Sequence, residues 1–490
     1  MSLIGVTEKF AKDKINRLEK QYKMKYENII NLSNLLTFNH NLILTGAPGT
    51  GKTYLAKQIA QQMFFGEIKE KKNSAEEKQF NEQCGFVQFH PSYDYTDFVE
   101  GLRPIQDDKG NVGFERKDGV FKEFCRKALE NIENSKKTPQ QLTNETTFRE
   151  KYNNLIGKIV SGTIKHFDLR TGKKMDVVEV TDKDNIVLRT HDSEKTYIVS
   201  LNRLSKLAKA FENTESLDRI SNIDKALREV IKGCHSSSYW AVLKAVYEQD
   251  QPVFKEKIQQ KIEKKPFVFI IDEINRGEIS KIFGELFFSI DPGYRGPKGA
   301  VRTQYANMQK DSNEFDDALG ITDPENYGHF FVPENVYIIG TMNDIDRSVE
   351  SMDFAFRRRF AFKEIKAKET QNMLDKEESW KDEKGNSTKP DTDTIAKIKN
   401  RMDNLNKVIW DEKTKSGIEG LSLAYHIGAS YFLKLANYRN NGTYDDSSFN
   451  NLWDYHLEGL LREYLRGMQD VDNLIEKLRT AYNNELAPNN

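Results

Sequence analysis

The sequence feature that most constrains the fold is the stretch GAPGTGKT at residues 46–53, which matches the phosphate-loop pattern G-x-x-x-x-G-K-[ST]. The run NLILT before it predicts a strand, and LAKQIAQQMFF after it has the apolar spacing of a helix. Backbone N–H groups of such a loop close around phosphates at the positive end of the helix, so the stretch predicts a nucleoside triphosphate site. The residues expected to contact the nucleotide are Gly46, Pro48, Gly49, Thr50, Gly51, Lys52 and Thr53.

An acidic pair, Asp272 and Glu273, ends FVFII, the most apolar predicted strand of the chain. Beside a phosphate loop, Asp272 is expected to bind Mg²⁺ together with the hydroxyl of Thr53, while Lys52 neutralises the β and γ oxygens. Glu273 is then expected to polarise the water that attacks the γ-phosphate. The alternative for Glu273 is a carboxylate that stabilises a helix N-terminus through the helix dipole.

A third polar segment, TMNDIDRS at 341–348, follows the predicted strand NVYIIG. In a parallel sheet it emerges at the same carboxyl edge as the phosphate loop, where the amide of Asn343 is expected to orient the attacking water. The nearby stretch FAFRRRF at 354–360 places three arginines beside apolar anchors, as expected of a finger that reaches a neighbouring subunit's γ-phosphate. Arg358 and Arg359 are the candidates, and at least one arginine of the cluster is expected to cap a helix C-terminus instead.

The order of the predicted strands and helices indicates an α/β fold with a parallel sheet. A run of short strands separated by turns interrupts it as a small β-rich insert, and the chain becomes helical after Phe362. The predicted organisation is a helical segment at 1–40, the first part of the α/β domain at 41–150, the insert at 151–212, the second part of the α/β domain at 213–365, and a helical lid at 366–490.

Charge and cysteine content limit the classes of partner. The 74 basic and 75 acidic residues nearly cancel, so nucleic acid contacts would have to come from local patches. The insert has a mild basic excess, which fits phosphate contact but is better explained by structural or docking use. Three scattered cysteines indicate reduced thiols in a cytoplasmic protein. No apolar stretch approaches the ~18 residues of a spanning helix, so no membrane partner is expected.

These motifs in this order resemble an AAA+ module, and more narrowly the McrB-like GTPase subunits of modification-dependent (5-methylcytosine) restriction systems. Three further segments are similar to that family: FHPSYDYTDFVEGLRP (89–104), DGVFKEFC (118–125) and YHIGASYFLKL (425–435). The resemblance covers about 40–135 and 220–465. It implies a ring, usually a hexamer, that binds a McrC-like nuclease and acts on DNA directly or through that partner in phage defence. The family's M-N-x-x-D signature implies roles for Asn343 and Asp346 in hydrolysis and in the response to the partner.

The resemblance leaves the nucleotide and the recognition of DNA open. It implies GTP, but no N-K-x-D guanine-reading motif occurs, because Asn406-Lys407 is followed by Val408-Ile409. ATP is therefore an alternative, and Mg²⁺ is expected with either nucleotide. Members of the family carry an N-terminal domain that recognises the modified base, whereas about forty residues precede the first strand here. Direct base recognition by this chain is therefore in doubt, and three alternatives stay open: the insert at 151–212 takes over this role, a separate protein supplies it, or the chain is a fragment.

Two other functions fit the same motifs. One is an ATP-driven remodeller of protein complexes, like the MoxR and dynein-related branches. The other is a nucleotide-switched scaffold that assembles but turns over little without its partner. A complete set of catalytic residues argues against lost chemistry, although a low basal rate is compatible with an arginine supplied late, which changes kcat by ~10³–10⁵.

Overall fold

A computed structural model gives the fold of the chain. It describes residues 27–69, 72–106, 112–181, 184–190, 195–231, 235–250, 260–309, 312–321, 323–345, 354–381 and 385–483. These residues form two compact units. One comprises the described residues up to 128, within 265–308 and from 329 onwards, and the other comprises the described residues within 129–264 and 309–328. Of the predicted helical segment at 1–40, residues 27–39 are helical and 1–26 lie outside the described residues.

The strands are β1 (Asn41–Thr45), β2 (Cys84–Gln88), β3 (Glu100–Gln106), β4 (Val112–Asp118), β5 (His166–Asp168), β6 (Lys174–Val180), β7 (Ile186–Thr190), β8 (Thr196–Val199), β9 (Phe267–Asp272), β10 (Val301–Arg302), β11 (His329–Phe330), β12 (Val336–Thr341), β13 (Ala361–Glu364), β14 (Trp410–Asp411) and β15 (Ser416–Gly417).

The helices of the first half are α1 (27–39), α2 (Lys52–Phe65), α3 (Ser74–Gln83), α4 (Tyr95–Phe98), α5 (Val120–Lys136), α6 (Pro139–Val160), α7 (Leu201–Ala210), α8 (Thr214–Asp218), α9 (Ile223–Ile231) and α10 (Ser236–Tyr247). Those of the second half are α11 (Ile279–Phe283), α12 (Leu286–Ser289), α13 (Glu314–Ala318), α14 (Phe354–Arg357), α15 (Thr392–Ile409), α16 (Ala429–Phe432), α17 (Asp446–Leu452), α18 (Glu458–Tyr464) and α19 (Val471–Asn483).

The first unit is built on a five-stranded parallel sheet with the order β13-β1-β12-β9-β2. Strand β9 is buried from Phe267 to Ile271, as expected for a strand covered on both faces. Because all five strands run the same way, the carboxyl ends of β1, β9 and β12 meet at one edge. The predicted α/β fold with a parallel sheet is confirmed, and this edge is where polar side chains converge.

Helices α1 and α2 cover one face of this sheet. Side chains of α1 (Ile29, Leu32 and Leu36) and α2 (Ala56 and Ile59) form one buried cluster with β1, β9 and β12. Full burial of an aliphatic side chain stabilises a fold by about 1.5–3 kcal/mol, so this cluster anchors the start of α2 against the sheet. The phosphate-loop segment between β1 and α2 is thereby held at both ends.

Several strands of this unit were not predicted from the sequence. Strand β13 was not predicted, and its last two residues lie after Phe362, where the chain was expected to become helical. It pairs in parallel with β1 as a short, half-buried edge strand. The antiparallel hairpin β3–β4 was also missed. Pro104 lies within β3 and lacks a backbone N–H, which is tolerated because a two-stranded hairpin leaves each strand with a free edge.

The second unit contains a four-stranded antiparallel sheet, β5-β6-β7-β8. Leu188 of β7 and Leu204 of α7 are fully buried in one apolar cluster, to which α6, α9 and α10 also contribute. The predicted β-rich insert at 151–212 lies inside this unit. The unit extends beyond the insert on both sides because helices before and after it complete the same core.

The region after β13 is helical, as predicted, and has its own core. Helices α15, α17, α18 and α19 bury a cluster that includes Trp453, Met402 and Tyr482. In the part of the chain that the structure describes, none of the helices is both long and apolar enough to cross a membrane.

Candidate active site

The phosphate loop folds as a tight turn between the end of β1 and the start of α2. Gly46 has φ +139° and Gly51 has φ +75°, which L residues with a side chain rarely adopt, so these glycines permit the loop's shape. The buried hydroxyl of Thr50 donates to the carbonyl of Ala47 at 2.9 Å. Helix α2 begins at Lys52 and directs the positive end of its dipole towards the loop.

The Lys52 side chain lies across this loop and is only 7% exposed. Its ammonium donates to the carbonyls of Gly46 and Ala47 at 3.0 and 2.9 Å, and to Oδ1 of Asn343 at 2.8 Å. Burial lowers the pKa of Lys52 to about 8, against the opposing effect of nearby carboxylates. A buried cation whose present partners are uncharged oxygens is well suited to exchange them for charged phosphate oxygens.

The acidic pair lies next to the loop, at the carboxyl end of β9. Thr53 donates its hydroxyl hydrogen to Oδ1 of Asp272 at 2.6 Å, so these two oxygens are close enough to share one metal ion. Glu273 follows directly and has φ +54°, an unfavourable backbone conformation for a residue with a side chain. Backbone strain of this kind is concentrated at functional sites.

The Glu273 carboxylate is held from two sides. The amide of Asn343 donates to its Oε1 at 3.3 Å, and Arg276 forms an ion pair with its Oε2. Asn343 thus contacts both Lys52 and Glu273 and links the phosphate loop to the acidic pair. Arg276 is a partner that sequence reasoning did not assign, although it lies three residues after Glu273 in the same DEINR segment.

The three arginines of FAFRRRF have different environments. Arg359 is 10% exposed, lies over the ring of Phe287, faces Asp291 at 3.7 Å, and donates to the carbonyl of Ala355. Arg357 stacks over the ring of Phe362 at 4.8 Å. Arg358 is exposed, and within the described part of the chain its guanidinium has no hydrogen bond, ion pair or ring contact. Of the two predicted fingers, the geometry therefore favours Arg358.

The structure brings most of the predicted residues together at one sheet edge. Arg358 and Arg359 are not at this edge: they precede β13, and the carbonyl of Arg359 accepts a hydrogen bond at 2.8 Å from the side chain of Asn41, the first residue of β1. Asp346 lies in 346–353, outside the described residues. Its neighbour Asp344 precedes that stretch. Burial raises the pKa of Asp344, and the charge of Lys52 opposes the increase. Asp344 is thus a further carboxylate near the loop that sequence reasoning did not single out.

The helical lid contacts the phosphate loop through a segment to which sequence reasoning gave no role. The N–H of Gly428 donates to the carbonyl of Pro48 at 3.0 Å, and the N–H of Ser430 donates to that of Gly49 at 3.1 Å. A Cβ added at Gly49 would lie 2.6 Å from the ring of Tyr431. The only signal in the sequence was the family-like stretch that contains these residues.

A small cavity adjoins the loop at the start of α2. The side chains and backbone that line it include Asn28, Gly51, Tyr54, Glu369, Asn372 and Met373. These residues come from α1, α2 and the region after β13. The cavity therefore lies directly beside the phosphate loop.

Comparisons with known proteins agree with this geometry. The model of the dynein-related subfamily of AAA domains matches residues 206–360, and the model of the ATPase family associated with various cellular activities matches 42–85. The type IV methyl-directed restriction enzyme EcoKMcrB subunit of Escherichia coli (strain K12) is 24% identical over 401 residues, which are 81% of this chain and 48% of that protein. The resemblance noted in the sequence is thereby confirmed.

A second relative is a restriction component as well. The type II restriction enzyme BsuMI component YdiS of Bacillus subtilis (strain 168) is 30% identical over 115 residues, which are 24% of this chain and 30% of that protein. The chain spans less than half the length of either relative.

Proposed function

We propose, on the premise that this chain is a McrB-like AAA+ protein, that it is the Mg²⁺-dependent nucleoside triphosphatase of a modification-dependent restriction system. The observation that carries the proposal is the convergence of the Thr53 hydroxyl and the Asp272 carboxylate, 2.6 Å apart, beside the buried Lys52. Glu273 and Asn343 complete this set. A similarity to two restriction components supports the assignment to restriction.

The oxygen atoms at the site fit a magnesium ion. Mg²⁺ takes oxygen ligands and usually binds one or two protein side chains together with water and substrate phosphates. Thr53 and Asp272 supply such a pair and would hold the ion. Once bound, Mg²⁺ would neutralise charge on the phosphate oxygens.

The remaining residues would each have a separate role in hydrolysis. Lys52 would bind the β and γ oxygens in place of its present carbonyl partners. Glu273 would accept a proton from the attacking water while the water oxygen bonds to the γ-phosphorus and the β–γ bridging bond breaks. Asn343, in contact with both residues, would orient that water.

We place the base of the nucleotide in the cavity beside Gly51, and the lining of this cavity supports GTP as the substrate. Glu369 lines it, and a carboxylate accepts hydrogen bonds but does not donate them. Guanine presents a ring N–H and an amine side by side, which a carboxylate can accept together, whereas the amine of adenine lies next to ring nitrogens that are acceptors. ATP stays the alternative substrate.

The site is proposed to be completed by a second copy of the chain. Arg358 is exposed and makes no side-chain contact within the described residues, so it is available to a neighbouring subunit. An arginine that reaches the γ-phosphate of a neighbour implies a head-to-tail interface, which forms a ring when the rotation closes. A ring of six subunits is expected from the resemblance. A McrC-like nuclease is the proposed partner of that ring, and DNA is contacted directly or through it.

A second candidate function is supported by the match to the dynein-related subfamily. It is an ATP-driven remodeller of protein complexes, built on the same catalytic residues. Its partner would be a client protein instead of a nuclease.

The two candidates differ in what stimulates hydrolysis. We expect the rate of phosphate release by the purified chain to rise when a McrC-like nuclease subunit is added, and to rise further with methylated DNA. Unmethylated DNA of the same sequence is the matched control. If a client protein stimulates the rate and the nuclease with DNA does not, the restriction assignment is wrong and the remodeller replaces it.

A further inference from the structure

A buried threonine, Thr341, joins the two halves of the acidic pair. It is the last residue of β12 and is 2% exposed. Its hydroxyl donates to Oδ1 of Asp272 at 2.6 Å, and it accepts a hydrogen bond from the backbone N–H of Glu273 at 3.2 Å. One side chain therefore contacts the proposed metal ligand and the peptide of the proposed base.

The two hydrogen bonds are compatible with one orientation of the hydroxyl group. A threonine hydroxyl has one hydrogen and two lone pairs. Because an ionised carboxylate can only accept, the hydrogen points to Asp272, and a lone pair is left for the N–H of Glu273. Thr53 donates to the same oxygen of Asp272 at 2.6 Å, so two hydroxyls fix this carboxylate from α2 and from β12.

The hydrogen bond from the N–H of Glu273 to Thr341 matters because of the backbone conformation of Glu273. With φ +54° and ψ 44°, this residue is in the left-handed region, which surrounding contacts must stabilise. Thr341 accepts from the N–H group of this residue, directly at the turn that aims its side chain. Loss of the hydroxyl would remove one of the two hydroxyl hydrogen bonds to Asp272 and the acceptor at the N–H of Glu273.

We propose that Thr341 is a positioning residue that sets the Asp272 carboxylate and the Glu273 backbone for hydrolysis; the inference rests on the proposed function. Thr341 touches neither nucleotide nor water in this role. It acts through the two acidic residues, by a hydroxyl that crosses from β12 to the end of β9.

The test substitution removes the hydroxyl of Thr341 and keeps the shape of the side chain. Thr341→Val is expected to lower kcat for hydrolysis by about 10- to 100-fold with KM changed less than about threefold, since a hydrogen bond to a charged group is lost at the reacting centre. Thr341→Ser restores the hydroxyl and is expected to recover most of the rate. A role in packing alone predicts that the valine variant, which keeps the methyl group, performs as well as the serine variant.

Thr388 provides a matched control. It lies outside the site and is 5% exposed, and within the described residues its hydroxyl oxygen has no hydrogen-bond partner. Thr388→Val repeats the same chemical change and is expected to leave kcat and KM as they are. If Thr341→Val lowers the melting temperature markedly, Thr341→Cys is compared with Thr341→Ser, because the two differ in a single atom.

A measurement of Mn²⁺ binding tests the role of Thr341 independently of the proposed function. In the presence of a non-hydrolysable GTP analogue, we expect Mn²⁺ affinity, measured by electron paramagnetic resonance, to fall at least about threefold in Thr341→Val and not in Thr341→Ser. Wild-type protein that binds Mn²⁺ but hydrolyses neither GTP nor ATP would contradict the proposed function, and the Mn²⁺ comparison would still decide the role of Thr341. Equal kcat and equal Mn²⁺ affinity in the valine and serine variants would overturn the inference.

Discussion

Two adjacent residues, Arg358 and Arg359, have opposite surroundings and are expected to have opposite functions. Arg358→Ala should leave the free energy of unfolding within about 0.5 kcal/mol of wild type, because the side chain removed is exposed and has no partner among the described residues. Hydrolysis should fall by about 10³-fold or more if this guanidinium reaches a neighbour's γ-phosphate. Arg359→Ala should instead destabilise the fold by about 2 kcal/mol, because it removes packing on Phe287 and leaves Asp291 without its cation.

Urea unfolding and phosphate release, measured on the same two preparations, check this assignment. The alanine variants are each other's control, since both remove one arginine from the same turn. Full hydrolysis by Arg358→Ala, or lost hydrolysis by a stable Arg359→Ala, would show that the finger is not Arg358.

Single residues of the site could be predicted where a motif fixes both type and spacing. Lys52, Thr53, Asp272 and Glu273 follow from two strand ends. In the structure Thr53 contacts Asp272, and Asn343 links Lys52 to Glu273. Thr341 could not be assigned a role in this way. A threonine at the end of a buried strand satisfies β-propensity by itself, and only the parallel pairing of β9 with β12 places its hydroxyl on Asp272.

At the scale of elements, the contact of the lid with the phosphate loop gives a sharp prediction. A Cβ at Gly428 would lie 2.1–2.4 Å from Gly49 carbonyl atoms and Thr50 N, which is closer than any such contact allows. Gly428→Ala must therefore displace the loop or the lid. We expect the dissociation constant for GTP to rise about tenfold or more, measured by titration with a fluorescent analogue.

Gly459 is the matched control for this substitution. It lies in α18 of the same lid, and a Cβ there would have nothing within 4 Å. Gly459→Ala is expected to keep the nucleotide affinity and to stabilise the helix by up to about 1 kcal/mol. Equal affinities for Gly428→Ala and wild type would mean that the lid contact does not shape the loop.

Sequence patterns predicted the helices and strands with strong hydrophobic periodicity and missed those with weak periodicity. The apolar runs of β9 and β12 and the helices of the lid were recognised, because burial on both faces or on one helical stripe leaves a clear signal. Strand β13 has only four residues, none fully buried, and β3–β4 is a hairpin with several exposed apolar side chains. Their pairing depends on partners distant in the chain or on a turn, which local periodicity does not report.

At the scale of the whole molecule, the proposed ring shares each site between two subunits. Glu273→Gln and Arg358→Ala should each be inactive, but a mixed ring contains sites where Glu273 comes from one variant and Arg358 from the other. Random assembly of equal amounts should restore roughly a quarter of the wild-type rate. The control is a mixture of Glu273→Gln with a variant that carries both Glu273→Gln and Arg358→Ala. This mixture should show no recovery, because no subunit in it has Glu273. Absence of recovery in rings shown to contain both variants would contradict a shared site.

The central claim is that the Thr53, Asp272 and Glu273 cluster hydrolyses a nucleoside triphosphate. The most direct test is steady-state phosphate release from GTP and ATP, measured side by side with Mg²⁺, with Glu273→Gln as the blank. We predict release that requires Mg²⁺, prefers GTP and disappears in the variant. Preference for ATP would replace the GTP assignment and favour the remodeller, and release that persists in Glu273→Gln would contradict the account of the site itself.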